Sequence, residues 1–285
     1  MPADEKKPPW LKVRMPPAEV LDEMHRKLGG LNTVCWSAKC PNIGECFKRG
    51  MATFMIMGDV CTRNCGFCGV KNGTPGRLNV VEPILIGEAV RKLGLRYAVV
   101  TSVTRDDLPD GGAGHYAGTI WAIRKMNPEC GIEVLIPDFQ GDKPALKTLV
   151  DSKPDVINHN VETVPKLYPK VRPQADYLRS LDLLKTVKEM QPDAVTKSGL
   201  MVGVGETIDE VEQALRDLRD AGCDLLTVGQ YLRPTRENIP IERYVHPDEF
   251  EQLRVTALEL GFKNAASGPF VRSSYFADEQ AKGLH

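Results

Sequence analysis

The chain has 285 residues, of which 42% are hydrophobic and 26% are charged, and this composition is that of an ordinary folded protein rather than a disordered one. Its 37 lysines and arginines nearly balance 38 acidic residues, so no overall positive charge favours nucleic acid or an anionic membrane as a partner. No apolar run reaches the roughly 18 residues of a membrane span, and the N-terminal stretch carries charges and prolines where a signal peptide would be apolar. We therefore expect a cytoplasmic protein.

Apolar residues at helical spacing predict a short amphipathic helix within residues 17–28, which ends at Gly29 and Gly30. From Thr53 onward, short apolar runs typical of strands alternate with longer helical patterns. The predicted strands cover residues 53–58, 97–102, 132–137, 155–158, 197–202 and 225–230, with a further one around residues 262–266. The predicted helices cover residues 84–93, 116–126, 143–150, 177–190, 208–221 and 247–260.

This alternation predicts an α/β fold in which helices cover a parallel sheet. About six strand–helix units fit an incomplete (β/α)6 TIM-like barrel better than a doubly wound sheet. In both architectures the chemistry lies at the carboxyl ends of the strands. The candidate positions therefore come directly after the apolar runs, at residues 61–68, 104–107, 159–162 and 203–206 and at Tyr231.

Cysteine is concentrated in one part of the chain. Six of the eight cysteines lie between Cys35 and Cys68, a stretch that would hold about one by chance. Disulfides would explain such clustering in a secreted protein, but this chain shows no export signal and is long enough to form a core without them. Reduced thiolates that ligate a metal are the better explanation.

Cys61, Cys65 and Cys68 form a Cys-x3-Cys-x2-Cys motif directly after the first predicted strand. Three thiolates on one tight loop can bind three irons of a cubane cluster and leave the fourth iron open for chemistry. A zinc knuckle is the alternative, but zinc sites favour paired Cys-x2-Cys units or distant histidine pairs, and the sequence has no such second pair downstream.

With the aromatic Phe67 between its last two cysteines, this motif resembles the signature of radical S-adenosylmethionine enzymes. The resemblance implies a partial barrel of the radical SAM type, a 4Fe-4S cluster and S-adenosylmethionine (SAM). The open iron would bind the amino and carboxylate groups of SAM, whose reductive cleavage yields a 5'-deoxyadenosyl radical.

A second triad, Cys35, Cys40 and Cys46, has the spacing Cys-x4-Cys-x5-Cys and precedes the predicted barrel. In this position it resembles the lipoyl synthase family, which implies a second, auxiliary 4Fe-4S cluster that is consumed as the sulfur source. The family's serine ligand to that cluster corresponds to Ser274, with Ser273 as an alternative. The match covers nearly the whole chain and includes residues 101–107, 158–160, 197–203 and 272–275.

The resemblance also implies which residues contact SAM, and all of them follow predicted strands or lie on them. They are Phe67, Thr104, Asp106, Asn160, Glu162, Lys197 and Met201. Ordinary structural roles compete with some of these: residues 105–107 also fit a solvated loop, and His159 fits a hydrogen-bonded core histidine. Residues 203–206 superficially resemble a dinucleotide loop, but Ile208 stands where the third glycine belongs.

The implied activity is insertion of two sulfur atoms, at carbons 6 and 8, into an octanoyl chain on a lysine of a carrier protein. The implied partners are an octanoylated lipoyl carrier domain or glycine-cleavage carrier protein, an electron donor such as ferredoxin or flavodoxin, and an iron–sulfur carrier protein. Another radical SAM sulfur-inserting or peptide-maturing enzyme is one alternative, and a ferredoxin-like carrier or zinc-stabilised binding module is another. The motifs divide the chain into an auxiliary-cluster segment at 1–52, a partial barrel at 53–265 and a serine-ligand segment at 266–285.

Overall fold

A computed structural model describes residues 7–12, 19, 22, 26, 28–34, 40, 42, 45–46 and 52–282. Most of the helix predicted within residues 17–28, and Cys35 of the second triad, lie outside these described residues. Within the described part, no helix combines the length and the apolar character that a membrane span requires.

Seven strands form the main sheet, in the order β1-β4-β5-β6-β7-β8-β9. The pairs β1–β4, β4–β5, β7–β8 and β8–β9 are parallel. This sequential order, with helices between the strands, is the connectivity of an incomplete (β/α) barrel and confirms the predicted fold class. The strands are β1 Thr53–Ile56, β4 Tyr97–Ser102, β5 Gly131–Leu135, β6 Val156–Asn158, β7 Val195–Val202, β8 Leu225–Gln230 and β9 Asn264–Gly268, and the short β2 Val60–Cys61 and β3 Lys71–Asn72 pair separately.

The helices follow the predicted positions closely, because their apolar faces repeat at helical spacing in the sequence. The sequence analysis did not predict two short helices, Tyr168–Val171 and Ala277–Gln280. The helices are α1 Glu82–Leu93, α2 Ala113–Met126, α3 Lys143–Asp151, α4 Tyr168–Val171, α5 Tyr177–Met190, α6 Ile208–Asp220, α7 Pro247–Glu259 and α8 Ala277–Gln280.

The chain divides into two compact units. The N-terminal unit contains Arg14–Arg63 and Val70–Ile157. The C-terminal unit contains Met1–Val13, Asn64–Gly69 and Asn158–His285.

In the N-terminal unit, β1 is buried over its whole length and pairs with β4. Helix α1 has a proline in its first turn and ends at Gly94, which adopts the left-handed conformation (φ 61°) that glycine tolerates best. Helices α1 and α2 approach closely at Gly87, where a β-carbon would lie 2.9 Å from the carbonyl oxygen of Ala122. A small residue at this position therefore permits the helix contact.

In the C-terminal unit, α6 begins with a capping box in which the Thr207 side chain and the Glu210 side chain each accept a backbone N–H. Its predicted apolar face is buried and consists of Val211, Ala214, Leu215 and Leu218.

Candidate active site

Cys61 lies in the N-terminal unit, at the end of β2. Its Sγ accepts backbone N–H groups from Thr104 at 3.2 Å and from Arg63 at 3.4 Å. Such donors stabilise negative charge on a ligating sulfur and are a main means by which proteins tune iron–sulfur clusters. Thr104, a predicted SAM contact, therefore reaches the first cysteine of the motif through its backbone.

Asp106, another predicted SAM contact, is engaged by Arg63. The guanidinium donates from Nε and Nη2 to the two carboxylate oxygens at 2.7 and 2.9 Å, and Nη2 also donates to Asp138 at 2.6 Å. Burial disfavours the charge, but the hydrogen bonds to both aspartates outweigh it and raise the pKa of Arg63. Asp106 therefore holds Arg63, which lies between Cys61 and Cys65 in the motif, and its contact with SAM stays a prediction.

Arg105 is buried, with 3% of its surface exposed, rather than solvated. It forms a two-point ion pair with Asp107 at 2.8–2.9 Å. Nη1 donates to the carbonyl oxygen of Met57 at 3.3 Å, and Nη2, which also binds Asp107, donates to the carbonyl oxygen of Gly76 at 3.1 Å. Arg105 therefore ties the segment before the cysteine loop to the segment after it.

Sequence reasoning missed a second support for the same segment. The Glu82 carboxylate accepts the backbone N–H of Met57 at 2.8 Å and lies 2.7 Å from Nε2 of His115. Met57 has a positive φ of 68°, which is costly for a residue with a side chain. The Glu82 contact helps to hold this turn at the end of β1.

In the C-terminal unit, Cys65 and Cys68 close a tight turn, in which the N–H of Cys68 donates to the carbonyl of Cys65 at 3.0 Å. The backbone N–H of Gly66 donates to Val171 at 2.9 Å. Asn238 donates from Nδ2 to the carbonyl oxygens of Gly66 and Cys68, at 3.2 and 2.8 Å. The turn is therefore held from two sides by residues far away in the sequence.

Gly66 is required at this turn because its neighbours leave no room. A β-carbon there would lie 2.8 Å from Cγ2 of Ile239 and 2.9 Å from the carbonyl oxygen of Lys170. Gly66 lies within the candidate stretch 61–68 but was not singled out, and Asn238 was not a candidate. Contacts between distant segments leave no local pattern in the sequence.

Phe67 and Met201, both predicted SAM contacts, pack against one apolar cluster. The cluster consists of Val171, Val204, Tyr231 and Ile241, and both side chains are only partly buried. The aromatic residue of the motif thus anchors its turn to the end of β7 and the loop after it.

Asn160, Glu162 and Ser273 are brought together after β6. Nδ2 of Asn160 donates to Glu162 at 3.0 Å and to Oγ of Ser273 at 2.7 Å. Oδ1 of Asn160 is buried and has no hydrogen-bond partner among the described residues. Ser274 is partly exposed, while Lys197 on β7 is fully buried.

In this region Glu162 has a shifted pKa, and His159 is held in the core by a hydrogen bond. Burial raises the pKa of the Glu162 carboxyl, although Arg172 and Asn160 oppose the shift. His159 is buried, and its Nε2 lies 3.0 Å from Oγ of Ser180. This is the hydrogen-bonded core histidine that was the alternative to a functional role.

In the loop at residues 203–206, the Glu206 carboxylate accepts the N–H groups of Gly203 and Val204. These two donors are therefore already used within the loop and are not available to a phosphate.

Of the second triad, Cys40 and Cys46 are described and are partly buried, and the N–H of Cys46 donates to the carbonyl of Asn42 at 3.0 Å. Across the described residues, no group of three histidine, cysteine, aspartate or glutamate side chains is arranged to hold a single metal ion. A four-iron cluster separates its ligands more widely than a single ion does.

Cys130 and Cys223 differ from the triad cysteines. Both are buried, and burial raises the pKa of their thiols to about 11 and about 12. High thiol pKa values suppress the thiolate that binds metal. The two residues behave as small buried hydrophobes, as the sequence indicated.

Comparison with known proteins identifies the superfamily. The model of the radical SAM superfamily matches residues 55–218, more than half of the chain. Two solved structures share the fold at low identity: methylornithine synthase (TM-score 0.54, 15% identity, 77% of this chain and 72% of that one) and SuiB from Streptococcus suis bound to S-adenosylmethionine (0.61, 13%, 79% and 53%). Membership of the superfamily implies a 4Fe-4S cluster and SAM.

Curated relatives match almost the full length. A lipoyl synthase from Caldanaerobacter subterraneus subsp. tengcongensis is 58% identical over 96% of this chain and 96% of its own length. Lipoyl synthases from Rubrobacter xylanophilus and Caldicellulosiruptor saccharolyticus are 54% and 53% identical over 97% of this chain, and over 87% and 98% of theirs. Identity at this level over nearly the whole length shows that the chain belongs to the lipoyl synthase family of radical SAM enzymes.

Proposed function

We propose that this protein inserts sulfur at carbons 6 and 8 of an octanoyl chain carried on a lysine of another protein, with Cys61, Cys65 and Cys68 as ligands of the radical-generating cluster. The observation that carries the proposal is the environment of these cysteines. Backbone donors reach the sulfur of Cys61, and the turn from Cys65 to Cys68 is held by backbone and amide hydrogen bonds.

The residues fit the groups that the superfamily implies. Thiolates are the ligands that iron–sulfur clusters take, and N–H donors to sulfur are typical of their sites. The buried, unpartnered Oδ1 of Asn160 is an acceptor that lacks a donor, and such a group calls for a ligand or water. A β-carbon at Gly199 would lie 3.1 Å from this oxygen and closer still to the Thr227 hydroxyl, so only glycine fits beside it.

When bound, the cluster and SAM supply the 5'-deoxyadenosyl radical that removes hydrogen from an unactivated carbon, which no acid or base can do. The chain's own residues bind and orient. Asn160 and Glu162 offer amide and carboxylate groups for the polar part of SAM, while Phe67 and Met201 offer apolar surface beside them. For Asp106, the bond to Arg63 supports an indirect role through the cysteine loop.

The second cluster is proposed on Cys35, Cys40 and Cys46, with Ser274 as its fourth ligand. Ser273 already accepts a hydrogen bond from Asn160 at 2.7 Å. The hydroxyl of Ser274 has no such contact among the described residues, which favours it as the ligand. An oxygen ligand binds iron less tightly than thiolate and is released more readily when the cluster is consumed.

A lipoyl synthase requires a lipoyl carrier protein as substrate and a source of electrons. We propose an octanoylated lipoyl carrier domain or glycine-cleavage carrier protein as the substrate, a ferredoxin or flavodoxin as the donor, and an iron–sulfur carrier protein that restores the auxiliary cluster. The chain then consists of an auxiliary-cluster segment at 1–52, a radical-generating barrel at 53–265 and a serine-ligand segment at 266–285.

The test is anaerobic reconstitution with iron and sulfide, followed by incubation with SAM, a reductant and an octanoyl-lysine peptide. Mass spectrometry should show a peptide that has gained two sulfur atoms. Free octanoate is the matched control substrate and should react far less efficiently. Production of 5'-deoxyadenosine without any sulfur in the peptide would contradict the proposal and favour another radical SAM activity.

A further inference from the structure

Arg172 is a buried cation whose hydrogen-bond acceptors among the described residues are uncharged. It follows α4 directly and is 8% exposed. Nη1 donates to the carbonyl oxygens of Asn160 at 2.8 Å and Val161 at 3.4 Å, and lies 3.4 Å from the Tyr168 hydroxyl. Its Nε is buried and has no partner among the described residues.

This environment differs from that of Arg63, a buried arginine within the cysteine motif. Arg63 donates to two carboxylates, Asp106 and Asp138, which neutralise it. The guanidinium of Arg172 is solvated by carbonyl dipoles, and the carboxyl of Glu162 attracts it without a hydrogen bond to it among the described residues. Its positive charge therefore remains a source of electrostatic potential in a medium of low dielectric constant.

The peptide groups that precede Arg172 contact the cysteine turn. The N–H of Gly66 donates to the carbonyl of Val171 at 2.9 Å, and a β-carbon on Gly66 would lie 2.9 Å from the carbonyl oxygen of Lys170. Arg172 is therefore the next residue after Val171, which contacts Gly66, and Gly66 is the next residue after Cys65.

The guanidinium stays charged in this position. Burial opposes its charge, but attraction to Tyr168, Glu162 and Cys65 outweighs burial and raises the pKa of Arg172. The interaction with Cys65 reflects the same proximity that the backbone contacts show.

We propose that Arg172 is a positioning residue whose buried positive charge beside Cys65 makes the cluster on the Cys61–Cys68 motif easier to reduce. Reduction adds one electron, supplied by the external low-potential donor, and makes the cluster more negative by one charge while no bond forms or breaks. A fixed cation close to a ligand stabilises the reduced form more than the oxidised form. This inference rests on the proposed function, because it requires a cluster on these cysteines.

The test uses the full-length chain in which Cys35, Cys40 and Cys46 are replaced by alanine, so that one cluster is present. The variants R172Q and R172K are compared with K170Q, the matched control, since Lys170 is half-exposed and pairs with Glu242 at 3.1 Å. The ratio of reduced to oxidised cluster is measured by electron paramagnetic resonance at one fixed applied potential, without SAM. Iron content and thermal unfolding are recorded for each variant.

In R172Q the ratio should fall about tenfold, which corresponds to 59 mV for a one-electron couple, while iron content is retained. R172K keeps the charge and should stay within about threefold of the parent, and K170Q should match the parent because solvent screens its charge. These effects would not arise from a purely structural role, which would change stability or iron content instead.

An iron-loaded R172Q whose ratio lies within about twofold of the parent would overturn the inference. A tenfold fall in the ratio of reduced to oxidised cluster in R172K would also overturn it, because R172K keeps the charge. If R172Q binds no iron, the R172K result alone tests the inference. Failure of the parent chain to bind any iron is a separate result, because it would contradict the proposed cluster site and not merely the tuning by Arg172.

Discussion

Gly66 shows how one residue can determine the geometry of the cysteine turn. Its missing side chain lets Lys170 and Ile239 contact the backbone between Cys65 and Cys68. Substitutions that overfill a packed site cost about 1–3 kcal/mol because neighbouring atoms must move.

We expect G66A to lower the free energy of unfolding by about 1–3 kcal/mol and to reduce iron uptake by the Cys61–Cys68 motif. Urea denaturation and iron analysis of the reconstituted protein measure the two effects. G76A is the matched control, since a β-carbon on Gly76 would meet nothing within 4 Å. Equal behaviour of the two variants would show that the close approach at Gly66 has no energetic consequence.

The two adjacent serines make a second prediction at this scale. S274A should retain SAM cleavage but lose sulfur insertion by about 10- to 100-fold, the usual cost of disturbing a metal site. S273A should have little effect on chemistry and cost about 1 kcal/mol of stability, because it removes the acceptor for Asn160. Assays of 5'-deoxyadenosine and of product sulfur measure the two reactions separately.

The opposite ranking of the serine variants would move the ligand to Ser273. Mild and equal effects of both substitutions would mean that the pair serves only as a turn or helix cap.

At the scale of elements, Asp224 joins several segments around the start of β8. Its carboxylate accepts hydrogen bonds from Lys188 on α5, from the N–H of Thr196 on β7 and from Lys263 at 3.1 Å. Burial favours the neutral carboxyl, but these donors outweigh it and hold the pKa of Asp224 below its ordinary value.

A depressed pKa in the folded state stabilises the protein above the unfolded pKa of about 3.9, and this stabilisation is lost as the pH falls through the folded value. D224N should therefore be less stable than the wild type by about 1–3 kcal/mol at pH 7, and the difference should shrink below about pH 4. Urea denaturation between pH 7 and pH 3 tests this.

K263M is the control for the Asp224 prediction, because it removes one half-exposed donor and leaves Lys188 and Thr196 in place. Its cost at neutral pH should be smaller than that of D224N. A difference between D224N and the wild type that grows on acidification would contradict the assigned shift.

At the scale of the whole molecule, the two cysteine triads should separate radical generation from sulfur delivery. Alanine at Cys61, Cys65 and Cys68 should abolish cleavage of SAM. Alanine at Cys35, Cys40 and Cys46 should halve the iron content, preserve 5'-deoxyadenosine and stop the reaction before sulfur is attached. Iron analysis, product assays and isotopic labelling of the auxiliary-cluster sulfide measure these outcomes.

Two results would contradict the role of the second triad in sulfur delivery. Full activity without the Cys35 triad, or product sulfur drawn only from sulfide in solution, would leave this triad as a structural or electron-transfer site.

Much of this molecule could be predicted from local patterns. The spacing of apolar residues determines the alternation of strands and helices. The bounds of β4, β8 and α5 therefore agree with the prediction to the residue. The cysteine motif is equally local, because its three thiols lie on one short loop. Both signals come from residues that are close together along the chain.

The partners of these residues were decided only by the tertiary structure. Asp106 binds Arg63 and, through it, is linked to Asp138, while its expected contact with SAM stays a prediction. Asn238 and Val171 hold the turn at Gly66 from positions more than a hundred residues away. The sequence by itself determined the elements and the chemical groups, because hydrophobic period and ligand spacing are local properties. Which donor faces which acceptor depends on how distant segments pack, and that leaves no periodic mark in the sequence.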